Sequence, residues 1–285
     1  METVKLNNGI EMPVLGYGVY QVSPDEAERC VSDALSVGYR LIDTAQAYFN
    51  EDGVGRAIKK SGISRDKIFL TTKVWISNCG YEKTRKSIEN SLKRLDTDYI
   101  DLMLYHMPYG DYYGSFRAME DMMKEGRLRA VGVSNFYSDR LIDLCHYTDT
   151  IPAVNQLETH VFSMRKDIRE TMDKLGIVQE SWGPFAEGKN DIFNNSVLQS
   201  VATKHGKTSA QVALRYLIEK GIVVIPKSTH KNRMEQNFSV FDFKLDDEDK
   251  TVIDTLDTGK PLIMDHRNPA VVDYCTSWEN ERNWN

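Results

Sequence analysis

Short apolar runs alternate along this chain with longer stretches whose apolar side chains recur every three or four positions, and the alternation repeats many times. The short runs predict strands at 14–18, 41–43, 68–73, 100–105, 130–134, 153–158, 177–181 and 222–226. Spacings of three and four put side chains on one face of a helical turn, so the longer stretches read as amphipathic helices. They occupy 82–95, 114–124, 138–145, 166–175 and 209–219, with a further helix starting near Lys231. Ser23-Pro24-Asp25-Glu26 predicts a helix start, with a serine cap, a proline in the first turn and a glutamate placed for a capping box. That helix runs through Ala34 and stops at Gly38, a residue able to take the left-handed conformation after a last turn.

Strands that alternate with helices pair in parallel, because each parallel connection needs a crossover. Eight such units in about 250 residues fit a closed (β/α)8 TIM barrel better than an open sheet. The first residues differ: 4–12 read as a β-hairpin turned at Asn8-Gly9 with type I′ chemistry, placed to plug the barrel floor. The expected organisation is one α/β domain over 1–285, with a tail from about 261 to 285 near the mouth. In that tail Tyr274, Trp278 and Trp284 are candidates to close over it.

Composition narrows the classes. Hydrophobic residues make up 41% and charged residues 27%, the balance of a globular protein, and a net charge of -6 leaves no basic surplus for binding nucleic acid. The first residues lack the basic-then-apolar pattern of a signal peptide, and no apolar run approaches the roughly 20 residues of a bilayer span. Cysteines 30, 79, 145 and 275 form no C-x-x-C pair, so reduced thiols in the cytoplasm are expected. The six histidines show no H-x-H or H-E-x-x-H spacing, which argues against a metal-dependent hydrolase.

In a (β/α)8 barrel, chemistry sits at the C-terminal ends of the strands. Asp43 ends one predicted strand, Lys73 ends the next, His106 follows a third, and Tyr48 lies five residues beyond Asp43. Taken singly, each has a plainer reading as a cap, a surface charge or packing. Together they suit protonation of an alkoxide as it forms. On this reading the Lys73 ammonium favours the phenolate and lowers the pKa of Tyr48, Asp43 orients the lysine, and His106 hydrogen-bonds a carbonyl oxygen.

The strings Leu-Ile-Asp-Thr-Ala-Gln-Ala-Tyr (41–48), Thr-Thr-Lys-Val-Trp (71–75) and Leu-Tyr-His-Met-Pro (104–108) resemble the aldo-keto reductases. So do Val-Gly-Val-Ser-Asn-Phe (131–136), Asn-Gln-Leu-Glu (155–158) and Ile-Pro-Lys-Ser-Thr (225–229). The resemblance implies a catalytic tetrad of Asp43, Tyr48, Lys73 and His106 and reduction of aldehydes or ketones with NADPH. It also implies a cofactor across the barrel mouth, since no G-x-G-x-x-G follows a strand. Ser134, Asn135 and Gln156 would then hold the carboxamide, with Trp182 stacked on the nicotinamide and Gly18 and Val19 beside it. Lys227, Ser228, Thr229 and Arg233 would hold the 2′-phosphate, and Gln236 and Asn237 the adenine.

Tyr20, Trp75 and Met107 are the candidate substrate residues, with Tyr112 or Tyr113 as further wall. Tyr20, Tyr105, Met107 and Val161 depart from common family residues, which bears on substrate preference and leaves the tetrad untouched. The expected partner is a small carbonyl compound, with the chain a monomer or weak oligomer engaging neither nucleic acid nor membrane. Two rival roles remain at this level: a non-catalytic NADP(H)-sensing regulatory barrel, and a dehydrogenase working mainly in the oxidative direction.

Overall fold

The computed structural model describes residues 2–278. An antiparallel hairpin, β1 (Thr3–Lys5) with β2 (Glu11–Pro13), precedes a parallel sheet. The sheet runs β3 (Tyr17–Gly18), β4 (Leu41–Asp43), β5 (Phe69–Val74), β6 (Ile100–Tyr105), β7 (Leu128–Ser134), β8 (Val154–Glu158), β9 (Val178–Trp182) and β10 (Val223–Val224). Each strand pairs in parallel with the next in chain order. The ends meet: Leu15 bridges Val224 in parallel, Gly16 N–H donates to the Val224 carbonyl at 2.8 Å, and Val224 N–H donates to that of Val14 at 3.0 Å. The sheet is therefore a closed barrel, the predicted (β/α)8 fold.

Helices α1 (Pro24–Val37), α2 (Glu51–Lys60), α3 (Tyr81–Leu95), α4 (Tyr112–Lys124), α5 (Ser138–His146) and α6 (Lys166–Leu175) alternate with the strands. Then follow α7 (Ser196–His205), α8 (Ser209–Glu219), α9 (Lys231–Phe238), α10 (Asp247–Asp254) and α11 (Pro269–Ser277). Apolar side chains fill two layers. One lies between strands and helices, and the other fills the lower barrel with Leu41, Phe69, Leu102, Leu104, Val154 and Val223.

The hairpin adds Leu6 and Met12 to that inner layer. Asn7 Nδ2 donates to the Pro152 carbonyl at 3.1 Å and Asn8 Nδ2 to that of Arg129 at 3.1 Å, both near the N-terminal ends of strands, so it closes the floor as expected. Its turn is not type I′. Gly9 N–H donates to the Leu6 carbonyl at 2.8 Å, Leu6 N–H donates to that of Ile10 at 2.9 Å, and Gly9 takes φ +90°. That is a three-residue loop, a type I turn closed by a glycine bulge. Ser23 also departs from expectation: it makes no capping bond to the backbone, and Arg29 holds the Glu26 carboxylate at 3.0 Å instead.

Helix α2 escapes the periodicity because it carries Gly53 and Gly55, which weaken a helix. The structure needs them small. A Cβ at Gly53 would lie 2.8 Å from the Ala27 Cβ, and one at Gly55 would lie 2.6 Å from the Leu95 carbonyl oxygen. Close packing of α1, α2 and the end of α3 outweighs intrinsic propensity there.

Candidate active site

Parallel registration places the polar residues before the site exists as a cavity. Asp43 is level with Gly18 and Thr71, Ser134 with Gln156, and Gln156 with Glu180. Side chains level on one barrel face meet, and these meet just above the apolar inner layer. Lys73 has no exposure; its Nζ lies 2.5 Å from Asp43 Oδ1 and donates to the Thr44 carbonyl at 2.9 Å. Gln156 Nε2 donates to Asp43 Oδ2 at 2.9 Å and to Glu180 Oε2 at 2.8 Å, so one amide links two buried carboxyls.

Tyr48 comes from a 3-10 turn, Gln46–Tyr48, and Gln46 is what fixes that turn. Its Nε2 donates to Ser87 and Ser91 Oγ at 3.1 Å each, and its Oε1 accepts from Trp75 N–H at 3.0 Å and Asn78 Nδ2 at 2.9 Å. The phenol ring is thereby held 5.0 Å from the Lys73 ammonium, 5.8 Å from the His106 ring and 5.1 Å from the Tyr20 ring.

Burial raises the Tyr48 phenol well above its ordinary pKa, with further upward push from Asp43, Tyr20 and Glu180. This reverses the expectation that Lys73 makes it more acidic. The lysine charge is compensated by Asp43 at 2.5 Å, so little net positive potential reaches the ring. Burial likewise lowers His106 well below the usual imidazole range, helped by Lys73 and His266. The imidazole is therefore neutral, and its buried Nδ1 has no partner. A proton on Nε2 leaves Nδ1 as a bare lone pair, cheaper to bury than an N–H. Burial raises Asp43, which Lys73 and Gln156 then pull back down; burial and Asp43 together push Glu180 up to about 8. The ammonium sits on Asp43, so Glu180 is the carboxyl that holds a proton at neutrality.

Above this layer opens a cavity of about 540 Å³. Gly18, Tyr20, Asp43, Tyr48, Trp75, His106, Met107, Ser134, Asn135, Gln156, Trp182 and Lys227 all line it, which gathers most of the sequence candidates at one place. Lys73 lies beneath them. Several donors are already engaged: Ser134 Oγ donates to the Gln156 carbonyl at 2.9 Å, and Asn135 Oδ1 accepts from Trp182 Nε1 at 2.9 Å. Gln156 Oε1 has no partner among the described residues.

Val19, Ser228, Thr229, Arg233, Gln236 and Asn237 do not line the cavity. Val19 is buried in the core, with its N–H on the Asp43 carbonyl at 3.0 Å. The other five lie on the loop after β10 and on α9, a shelf next to the cavity that Lys227 joins to it. Lys227, Lys231 and Arg233 are exposed there and form no ion pair among the described residues. Tyr112 and Tyr113 are not pocket walls. They form the first turn of α4, stacked on each other at 4.5 Å, with Tyr112 against Phe136 at 5.3 Å.

Sequence reasoning missed two acids. Glu180 sits two positions before Trp182 on β9, inside an otherwise ordinary strand. Glu158 ends β8, and its carboxylate accepts backbone N–H groups from Leu262, Ile263 and Met264, at 2.8 Å from Ile263 and 2.9 Å from Met264. It thereby ties down the segment that brings Met264, His266, Tyr274, Cys275 and Trp278 to the cavity wall. The sequence around Glu180, Val-Gln-Glu-Ser-Trp, is largely polar and does not single it out; its pairing with Gln156 comes from the strand register. Glu158 stands in the Asn-Gln-Leu-Glu string, but nothing in the sequence signalled its role, because its partners lie a hundred residues away. Trp284 lies outside the described residues.

Among the described residues, no group of three or more His, Cys, Asp or Glu side chains is placed to hold a metal ion, and no helix is long and apolar enough to cross a membrane.

A model of the aldo/keto reductase family matches residues 14–258. Glyoxal reductase of Bacillus subtilis is 45% identical over 257 residues, covering 90% of this chain and 92% of that protein. Among solved structures, MGS-M4, an aldo-keto reductase enzyme from a Medee basin deep-sea metagenome library, is 44% identical with a TM-score of 0.91, covering 93% of this chain and 98% of that one. An aldo-keto reductase of Bombyx mori in complex with NADP is 31% identical with a TM-score of 0.87, covering 92% and 95%.

Proposed function

The chain belongs to the aldo/keto reductase family, and from that premise we propose that it is an NADPH-dependent carbonyl reductase that turns an aldehyde or ketone into an alcohol, with Tyr48 as general acid. Bound NADPH supplies the hydride. The chain supplies everything else. His106, neutral and with Nε2–H as its donor, orients the carbonyl oxygen. The protonated Tyr48 phenol gives its proton to that oxygen as negative charge builds on it. Lys73, locked to Asp43 and 5.0 Å from the phenol ring, forms with that carboxylate the buried floor against which the acid is positioned.

The observation that carries this reading is the convergence of a protonated phenol, a neutral imidazole and a buried ammonium–carboxylate pair at one end of one cavity. The residues present also fit a nicotinamide dinucleotide. Trp182 offers a ring face on the cavity wall, and Gln156 Oε1 and the Ser134–Asn135 pair suit a carboxamide. Beyond the cavity, the unpaired cations Lys227 and Arg233, beside Ser228 and Thr229, suit a 2′-phosphate, with Gln236 and Asn237 beyond for the adenine. Tyr20, Trp75 and Met107 give an apolar, aromatic wall for the substrate.

Glyoxal reductase as a relative favours small aldehydes, α-oxoaldehydes included. Within the same proposal the chain acts in the cytoplasm as a monomer or weak oligomer, on small molecules rather than on nucleic acid or membranes. An intact tetrad favours turnover over a sensing role.

NADPH oxidation with glyoxal and with 4-nitrobenzaldehyde tests it. Tyr48→Phe should lower turnover by about 10²–10⁴-fold, the usual contribution of a positioned acid, while NADPH still binds. Turnover near the wild-type rate in that variant refutes the assignment of the acid.

A further inference from the structure

The layer beneath the cavity contains more carboxyl than it needs. Lys73 is its one ammonium, and Asp43 already neutralises it at 2.5 Å. Glu180 adds a second carboxyl, with no exposure, joined to the first only through the two N–H bonds of Gln156. Its other oxygen, Oε1, is buried without a partner. A structural glutamate in a barrel interior normally satisfies both oxygens, so an orphaned one asks for a reason.

Position supplies one. Glu180 and Trp182 are two apart on β9, so they share the inner face with Cα atoms about 7 Å apart. Any ring lying on Trp182 sits over Glu180 within a low-dielectric enclosure, where a charge on either is felt by the other.

We propose that Glu180 is a proton-linked counter-charge: it keeps its proton while the cavity holds the neutral, reduced dinucleotide, and gives it up when the cavity holds the oxidised, cationic one. This rests on the cofactor reading above. The step is a simple acid dissociation: the carboxyl O–H bond breaks, the proton passes to bulk water, and the carboxylate remains opposite the positive ring. No redox change occurs on the protein. With a pKa pushed up to about 8 by burial and by Asp43, the carboxyl is poised to respond near neutrality. The titratable groups that face it are Asp43 from β4 and Lys73 from β5, with Tyr48 from the loop after β4; its other strand neighbour, β10, sets Val223 level with it. Tyr48 stays protonated through that range, so Glu180 is the group that moves.

The test compares NADP+ and NADPH binding to the wild-type protein by fluorescence titration from pH 6.5 to 9. Both carry the same 2′-phosphate, whose titration cancels in the ratio of affinities. The ratio of NADP+ to NADPH affinity should rise roughly three- to tenfold with pH, the size of a half- to one-unit shift in one carboxyl. In Glu180→Gln it should be flat. Should that variant fail to fold, calorimetry on the wild type at pH 7.5, in two buffers of different ionisation heat, gives the same answer. NADP+ binding should then release a fraction of a proton that NADPH binding does not. A flat wild-type ratio, a slope that survives in Glu180→Gln, or equal proton release for both nucleotides overturns the inference and leaves the reductase reading standing. Failure of either nucleotide to bind overturns both.

Discussion

Lys73 is fully buried, and its ammonium donates to Asp43 Oδ1 and the Thr44 carbonyl, so its charge has no recourse to water. Removing one half of such a pair strands the other in low dielectric, at a cost of about 3–5 kcal/mol. Lys73→Met should therefore lower unfolding stability by that order in a urea titration, and Lys73→Met with Asp43→Asn should lose less than the single change. A single variant as stable as wild type would mean that water reaches Asp43. The same desolvation decides the chemistry of Tyr48. A lysine near a tyrosine reads in the sequence as an acidified phenol, but a lysine already neutralised at 2.5 Å does not act as one. A residue list supplies the groups; it does not supply the net charge of their surroundings.

Elements with strong periodicity were legible: α3, α6 and α8 fall within a residue or two of their predicted bounds, because an amphipathic face records itself in spacing. Helix α2 was not, since Gly53 and Gly55 serve neighbours that only the fold brings near. The segment after residue 261 was foreseen as lying near the mouth, but its fastening was not. Glu158 holds it through three backbone N–H groups, which, with His160, bring its carboxyl below the usual range despite burial. A depressed folded pKa stabilises above the unfolded value near 4.5 and loses that contribution as pH falls through the lower folded value. Hydrogen exchange should thus show the amides of 262–264 protected at pH 7, and exposed first on acidification toward pH 3. Glu158→Gln, with a single acceptor oxygen, should raise their exchange at pH 7 and weaken substrate binding more than it lowers kcat. Unchanged exchange in that variant would show that the segment is held elsewhere.

At the scale of the whole molecule, the proposed function divides the work between the barrel interior, where reduction occurs, and the adjoining loop and helix after β10, which hold the cofactor's phosphate. Lys227 belongs to both, lining the cavity and opening the shelf that continues to Arg233. Lys227→Ala or Arg233→Ala should weaken NADPH by roughly tenfold or more, as loss of a charge-assisted contact implies, and NADH hardly at all. Equal weakening of both nucleotides would refute the 2′-phosphate assignment.

By itself the sequence determined that strands and helices alternate, that they close into a parallel barrel with a plugged floor, and that Asp43, Lys73 and His106 come at the C-terminal ends of neighbouring strands. These follow from periodicity and strand order, which are local properties repeated along the chain. Only the tertiary structure decided that Glu180 and Asp43 share Gln156, that Glu158 ties the closing segment, and that Tyr48 keeps its proton. Those outcomes depend on burial and on which distant residues become neighbours, and a carboxyl or phenol takes its charge from its surroundings rather than from its place in the chain.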